Sequence, residues 1–222
     1  MEPAVSARDL AHEISSGDRR LTILDGVNLD VAPGESLAIV GRSGSGKTTL
    51  LSLLAGLDRP TRGEIHLAGQ RLSALDEDGR ARLRAGRVGF VFQSFQLLAG
   101  FTAHENAQLS ADLAGLSDAR HRAQSALGQV GLSARATHYP YQLSGGEQQR
   151  VAIARAFAAD PGILFADEPT GNLDSTTGAQ IIDLLFAQNR ERRTTLVLVT
   201  HDPALAERCD RVLTLVDGKL HG

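Results

Sequence analysis

Ser36-Leu-Ala-Ile-Val40, running straight into Gly41-Arg42-Ser43-Gly44-Ser45-Gly46-Lys47-Thr48-Thr49, is the most informative run of this 222-residue chain. The first five residues read as a buried strand. Gly41–Thr48 match G-x-x-x-x-G-K-[ST], and Thr49–Ala55 continue as a helical run. Strand, glycine loop and helix in direct succession bring backbone N–H groups and the positive end of a helix onto phosphate oxygens. Lys47 would then reach the β- and γ-phosphates of a nucleotide, and Thr48 would ligate Mg²⁺. The bland reading is a flexible Gly/Ser connection. Lysine use argues against it: the chain has only Lys47 and Lys219, with arginine elsewhere, yet keeps a lysine at the phosphate position.

Outward from this loop, short apolar runs alternate with amphipathic ones, the pattern of an α/β fold with a mostly parallel sheet. Strands are expected at Val88–Phe92, Ile163–Ala166, Thr195–Val199 and Arg211–Val216, several of them apolar throughout, as strands covered on both faces are. Before Gly34, Ile23, Val27, Leu29 and Val31 lie among turn residues and suggest shorter antiparallel strands. From Gln93 to Asp160 no buried strand is expected. There Ala123, Ala126, Leu127 and Val130 mark an amphipathic helix that Gly131 would stop.

Three strand ends carry polar chemistry. Ile163–Ala166 leads into Asp167 and Glu168, at the sheet edge where open α/β sheets bind ligands. Asp167 suits a Mg²⁺ shell and Glu168 a base for water; turn entry at Asp-Glu-Pro is the competing reading. His201 follows Thr195–Val199 and could donate to a γ-phosphate oxygen, or be structural. Gln93 follows Val88–Phe92 and could touch Mg²⁺ or water.

Bulk properties narrow the class. Twenty-three basic residues against 26 acidic ones give a formal charge of −3 and no general pull toward nucleic acid. The longest apolar stretches are far short of the ~20 residues that span a bilayer, so the chain is expected to be cytoplasmic. Cys209 is the only cysteine, which rules out a disulfide or a cysteine zinc cluster within the chain and suggests a small buried hydrophobe. Arginines 80, 82, 84 and 87 form the densest basic cluster and read as a solvated helix face, with partner or lipid-headgroup contact as the alternative.

Leu143-Ser144-Gly145-Gly146-Glu147-Gln-Gln-Arg150 is a capping box, S-x-x-E, ahead of a helix through Val151–Ala158. It also resembles the signature sequence of the ABC ATPases, placed between phosphate loop and Asp-Glu pair as in that family. The resemblance implies a P-loop NTPase: a RecA-like α/β core with an N-terminal antiparallel β-subdomain (residues 1–92 and 161–222) and an inserted helical subdomain (93–160), as one domain over 1–222. It implies ATP and Mg²⁺ as ligands and a homodimer closing on ATP, with Ser144, Gly145 and Gly146 meeting the γ-phosphate held by the other copy. Asn172-Leu-Asp174 matches the family's dimer-contact loop, Gln93 its glutamine loop and His201 its switch histidine. An aromatic that stacks on adenine in many members is replaced here by Ile14.

Gly56-Leu-Asp-Arg-Pro-Thr, Phe90-Val-Phe-Gln-Ser-Phe and Asp167-Glu-Pro-Thr-Gly-Asn-Leu-Asp174 are similar to the MacB- and LolD-like group, and Val88–Phe95, Leu143–Phe157 and Leu164–Asp174 most resemble its YbbA-like branch. Phe101-Thr-Ala-His-Glu-Asn106 fits the region that contacts the membrane subunit there. The group implies a separate integral membrane permease, a place on the inner face of the cell membrane, hydrophobic cargo such as lipids or lipoproteins, and for the YbbA-like branch an associated esterase. A chromosome- or ribosome-acting machine is the alternative class. The chain has neither an inserted coiled coil nor a second ATPase domain. A nucleotide sensor without turnover is disfavoured by the presence of both Glu168 and His201.

Overall fold

A computed structural model describes residues 2–16 and 19–222. In chain order the strands are β1 (Val5–Ser16), β2 (Arg19–Val31), β3 (Ser36–Val40), β4 (Arg62–Leu67), β5 (Gln70–Arg71), β6 (Val88–Phe92), β7 (Ile163–Asp167), β8 (Thr195–Thr200), β9 (Arg211–Val216) and β10 (Lys219–His221). The α-helices are α1 (Lys47–Leu54), α2 (Glu77–Arg84), α3 (Ala103–Leu113), α4 (Ala119–Gln129), α5 (Gly145–Ala158), α6 (Ser175–Arg192) and α7 (Pro203–Ala206). They fall into two compact units, residues 1–84 with 195–222, and residues 85–194.

The first unit holds an antiparallel sheet in the order β2-β1-β4-β5. Its first two strands are 12 and 13 residues long, not the short ones expected. Register shifts between Ala7 and Glu13 break the alternation that would have advertised their length. At the bulge Asp9 adopts φ +45°, and a Cβ on Gly63 would run into the Asp9 carbonyl, so the facing strand needs glycine there. The same unit holds β3 between β8 and β9, parallel to both, with β10 antiparallel on β9. Strands β3 and β8 are buried nearly throughout, which is why both are apolar along their whole length. Leu50, Leu51, Leu53 and Leu54 bury the α1 face.

Helix α2 corrects the reading of the arginine cluster. Arg82 and Arg87 are exposed, but Arg80 is only 4% exposed. Arg84 is half-buried and donates to the Gly56 carbonyl at 2.5 Å, just past the end of α1. That carbonyl lies where a helix leaves acceptors unsatisfied, and a guanidinium is a suitable donor. Cys209 is partly buried, and burial pushes its thiol up to about 12.

The second unit pairs β6 and β7 in parallel and otherwise consists mainly of helices; Gln93–Asp160 contains no strand. Alanines recur at Ala103, Ala107 and Ala111 on α3 and at Ala119, Ala123 and Ala126 on α4, all buried. Small side chains at that spacing let helices pack closely. As expected, Gly131 follows the end of α4, with Val130 as its C-cap and Gly131 at φ +74°. Fully buried Asn106 accepts from Leu98 N at 2.8 Å and donates to the carbonyls of Leu98, Phe101 and Thr102. That shapes the loop ahead of α3 and leaves Phe101 39% exposed.

Candidate functional site

In the first unit β3 delivers Val40, the loop Gly41–Gly46 turns, and α1 begins at Lys47. Gly46 enters the helix at φ +96°, a conformation that strongly favours glycine. Gly41 is a close-approach glycine: a Cβ would stand 2.5 Å from the Leu215 carbonyl and 2.8 Å from Ser45 Oγ. Lys47 is 8% exposed, and its ammonium donates to Gly41 O at 2.9 Å and Arg42 O at 3.1 Å. The lysine therefore lies folded over its own loop, cation held at the mouth.

Nothing caps α1. Gly46, its N-cap residue, has no side chain to accept from the first N–H groups, and the first turn holds no acid. By contrast Thr102, Ser144, Asp174 and Asp202 each cap a helix by accepting from a backbone N–H. Ser45 Oγ is buried with no partner. Backbone N–H groups at a helix start, the helix dipole and a lysine are groups that can meet a phosphate chain. Arg42, Ser43, Gly44 and Thr48 are exposed, and Thr49 is half-buried.

The register of β3 on β8 sets Val40 opposite Thr200, so Gly41 and His201 emerge at the same end of adjacent parallel strands. His201 is exposed, and Asp202 next to it caps α7 by accepting from Ala204 N at 2.9 Å.

In the second unit β6 and β7 do the same for a second group. Phe92 pairs with Asp167, which puts Gln93, Asp167 and Glu168 at one strand end. Glu168 sits at φ +44°, left-handed for a non-glycine residue, in a turn closed by Gly171 N donating to Glu168 O at 2.9 Å. Asn172 Nδ2 donates to the Gln93 carbonyl at 2.9 Å, and Gln93 Nε2 to Asn172 Oδ1 at 3.4 Å. The glutamine loop and the Asn172–Asp174 loop are thus tied together.

The capping box foreseen at α5 is present. Ser144 Oγ accepts from Glu147 N at 3.2 Å, and Ser144 N donates to Glu147 Oε2 at 2.9 Å. The Ser144 N–H, then the hydroxyl and Arg135, hold the Glu147 carboxyl below the usual range. Gly146 is needed for packing, since a Cβ would stand 2.5 Å from Thr177 Cγ2 at the start of α6; Gly145 has 3.5 Å to Leu173. Asp174 accepts from Thr177 N at 3.0 Å and Thr176 N at 3.1 Å, and those donors lower its pKa.

Two residues that the sequence reading passed over join these pieces. Fully buried Gln149 on α5 donates to Pro169 O at 2.6 Å, one residue beyond Glu168. Arg155 on the same helix donates to Phe95 O at 2.9 Å and Gln96 O at 2.5 Å, in the loop behind Gln93, where both residues take positive φ. Burial lowers the Arg155 pKa. Helix periodicity alone would have placed both on a polar face.

Among the described residues no three His, Cys, Asp or Glu side chains cluster as in an all-protein metal cage. Mg²⁺ shared with phosphates needs only one or two protein ligands, and a hydroxyl, an amide and a carboxylate are hard oxygen donors suited to it. Ile14 lies on β1 opposite Leu21 and is 43% exposed. No helix among the described residues is long and apolar enough to cross a membrane.

Comparison with known proteins matches this arrangement to one family. A profile described as "ABC transporter" matches residues 24–171. The chain is 56% identical to an uncharacterised ABC transporter ATP-binding protein, YbbA of Escherichia coli K12, over 99% of this chain and 97% of that one. It is 50% identical to the lipoprotein-releasing system ATP-binding protein LolD of Xanthomonas campestris pv. campestris, over 97% and 91%. Two dimeric structures of the cassette MJ0796, one of them a post-hydrolysis state bound to ADP and Pi, superpose with TM-scores of 0.92 and 0.91 at 40% identity, over 98% of this chain and 97% of that one. With a phosphate loop, a signature helix and the α/β P-loop fold, the chain belongs to the ABC transporter family, in the MacB/LolD-like group, as an ATP-hydrolysing subunit of a transporter.

Proposed function

We propose that this subunit is the motor of a membrane complex in which two copies close face to face around two Mg·ATP and drive a separate permease. The observation that carries it is α1: an uncapped helix behind a glycine loop, with Lys47 held at the mouth and His201 at the same strand end. In this reading Gly41–Thr49 hold the phosphates. Thr48, Gln93 and Asp167 would hold Mg²⁺, which neutralises phosphate charge when bound. Glu168 orients and deprotonates the attacking water, and His201 donates to a γ-phosphate oxygen. Ser144, Gly145 and Gly146 of one copy meet the γ-phosphate held by the other, because a helix with a short capped entry offers its dipole to an anion. Asp174 lies at the contact of the two copies. The MJ0796 dimers support the pairing. Residues 1–92 with 161–222 form the α/β core with its β-subdomain, and 93–160 the helical subdomain.

The likeness to a lipoprotein-releasing ATPase supports a lipid, lipoprotein or other hydrophobic cargo and a place on the inner face of the cell membrane, reached through the permease.

Glu168→Gln tests the mechanism. Losing a positioned base costs ~10²–10⁴-fold in turnover, while ATP stays bound and holds two subunits together. Light scattering with and without Mg·ATP reads the mass. A variant that saturates with ATP and remains monomeric contradicts the paired mechanism; one that still hydrolyses removes Glu168 as the base. Identifying what co-purifies from native membranes tests the permease.

A further inference from the structure

Gln93 is presented by a turn that its own sequence does not favour. Phe95 and Gln96 stand in succession at φ +60° and +51°, left-handed for two non-glycine residues. Phe95 N donates to Phe92 O at 3.2 Å and Gln96 N to Ser94 O at 2.6 Å. Such angles persist only where the surroundings over-determine them. Arg155, in the last turn of α5, does so from outside the turn. One outer nitrogen donates to Gln96 O at 2.5 Å and the other to Phe95 O at 2.9 Å. A rigid planar fork suits two neighbouring carbonyls better than a flexible point donor.

Arg155 is desolvated to make these bonds. Burial lowers its pKa, and it makes no ion pair among the described residues, so carbonyl oxygens alone meet its charge. A desolvated cation without a counter-ion is costly unless its hydrogen bonds offset the loss. A basic residue in a last helical turn also suits the helix dipole. That interaction needs no partner on another segment, whereas both outer nitrogens of Arg155 lie on the glutamine loop. The base of the side chain is fixed as well: Ser110 Oγ on α3 donates to Arg155 O at 2.6 Å. On the other side, Asn172 binds the Gln93 carbonyl and its Nε2. A Cβ on Gly171 would stand 2.6 Å from Gln93 Nε2, so glycine leaves room for the amide. With the amide nitrogen turned to Asn172, Oε1, the atom a hard cation takes, is the end left over.

We infer that Arg155 is a positioning residue for Gln93: by holding the Phe95 and Gln96 carbonyls it fixes the turn from which the glutamine offers its amide oxygen to Mg²⁺. The inference rests on the proposed role of Gln93 at the metal. It also makes α5, which Ser144 caps at its start, the support of the glutamine loop at its end.

The test reads the metal without turnover. Protein carrying the non-hydrolysable analogue AMP-PNP is titrated with Mn²⁺, and binding is followed from the electron paramagnetic resonance signal of the free ion. Gln93→Ala should weaken Mn²⁺ binding about three- to tenfold, at or under the lower end of what losing a metal's supporting residue costs, because the phosphates hold most of the ion. Arg155→Met, which keeps an apolar stem and removes the fork, should weaken it by a similar factor, and the double variant by no more than Gln93→Ala alone. Binding of metal-free AMP-PNP should be unchanged in all three. In Arg155→Met, hydrogen exchange should quicken at the Phe95 and Gln96 amides and stay slow along α5, which separates release of the turn from general loosening. If Arg155→Met does not fold, Arg155→Lys carries the test. Its point donor should give both changes at smaller size, and wild-type behaviour in it overturns the inference. Factors that multiply in the double variant, or Mn²⁺ binding weakened by Gln93→Ala but untouched by Arg155→Met, reduce Arg155 to packing and leave Gln93 at the metal. Mn²⁺ binding untouched by Gln93→Ala removes Gln93 from the metal and overturns both readings.

Discussion

Replacing Gln149 by leucine asks whether the signature helix and the turn at Glu168 act as one piece. Gln149 is fully buried and donates to Pro169 O at 2.6 Å. Leucine nearly fills the volume but leaves that carbonyl without its donor, which costs ~1–3 kcal/mol in a buried place. The same change removes Gln149 Oε1, a buried acceptor with no partner. That relief offsets part of the loss, so the net fall in stability should be ~1 kcal/mol, read from a denaturant midpoint. Turnover should suffer more than stability. Glu168 holds φ +44°, and non-glycine residues keep such angles only where their surroundings over-determine them. A shift near 1 Å can cost up to ~10²-fold. About a tenfold fall in kcat is expected, with KM for ATP nearly unchanged because the phosphate loop is untouched. Gln149→Glu sharpens the test. Ionised it cannot donate to Pro169 O, whereas protonated it can, so its kcat relative to wild type should rise as pH falls. A loss of stability with unchanged kcat, or a raised KM alone, would reduce Gln149 to packing.

Ser144→Arg should spare nucleotide binding to a monomer and stop paired hydrolysis, since the larger side chain crowds the approach lined by Gly145 and Gly146; wild-type turnover of that homodimer would refute the assigned role, and mixing it with Lys47→Ala should restore some activity if one intact composite site suffices. Ile14→Tyr should tighten ATP binding by up to several-fold, the low end of the ~1–3 kcal/mol that aromatic stacking gives a base; parallel titrations with GTP show whether the gain is base-specific. The carboxyls of Glu105, Glu147, Asp174 and Asp210 are all held low, each first by a hydrogen bond from Thr102, Ser144, Thr177 and Ser36 respectively. Depressed carboxylates stabilise the fold above their unfolded pKa of ~4 and lose that contribution as pH falls through the lower folded value. Unfolding midpoints should therefore drop steeply below pH ~4, and Asp210→Asn, which weakens the acceptor for Ser36 N and Ser36 Oγ, should flatten the drop.

What the residue pattern revealed, and what it hid, follows from where each side chain finds its partner. Strands β3 and β8 were legible because burial on both faces leaves an unbroken apolar run. The Ser144 box was legible because its two hydrogen bonds lie within four residues. The lengths of β1 and β2 were not, because bulges at Ala7–Glu13 reset the two-residue period on which a strand reading depends. A different cause hid Arg84, Gln149 and Arg155. Each is a long polar residue on a helix, and periodicity assigns such residues to water. Each instead donates to a backbone carbonyl on another segment: Gly56 past the end of α1, Pro169 beside the left-handed Glu168, and Phe95 and Gln96, themselves left-handed. Irregular backbone leaves carbonyls that no helix or ladder can pair, and a buried one must be met by a side chain. The residues that shape the Gln93 and Glu168 loops are therefore found by asking which carbonyls those loops strand. No periodicity in the helices that supply the donors answers that question.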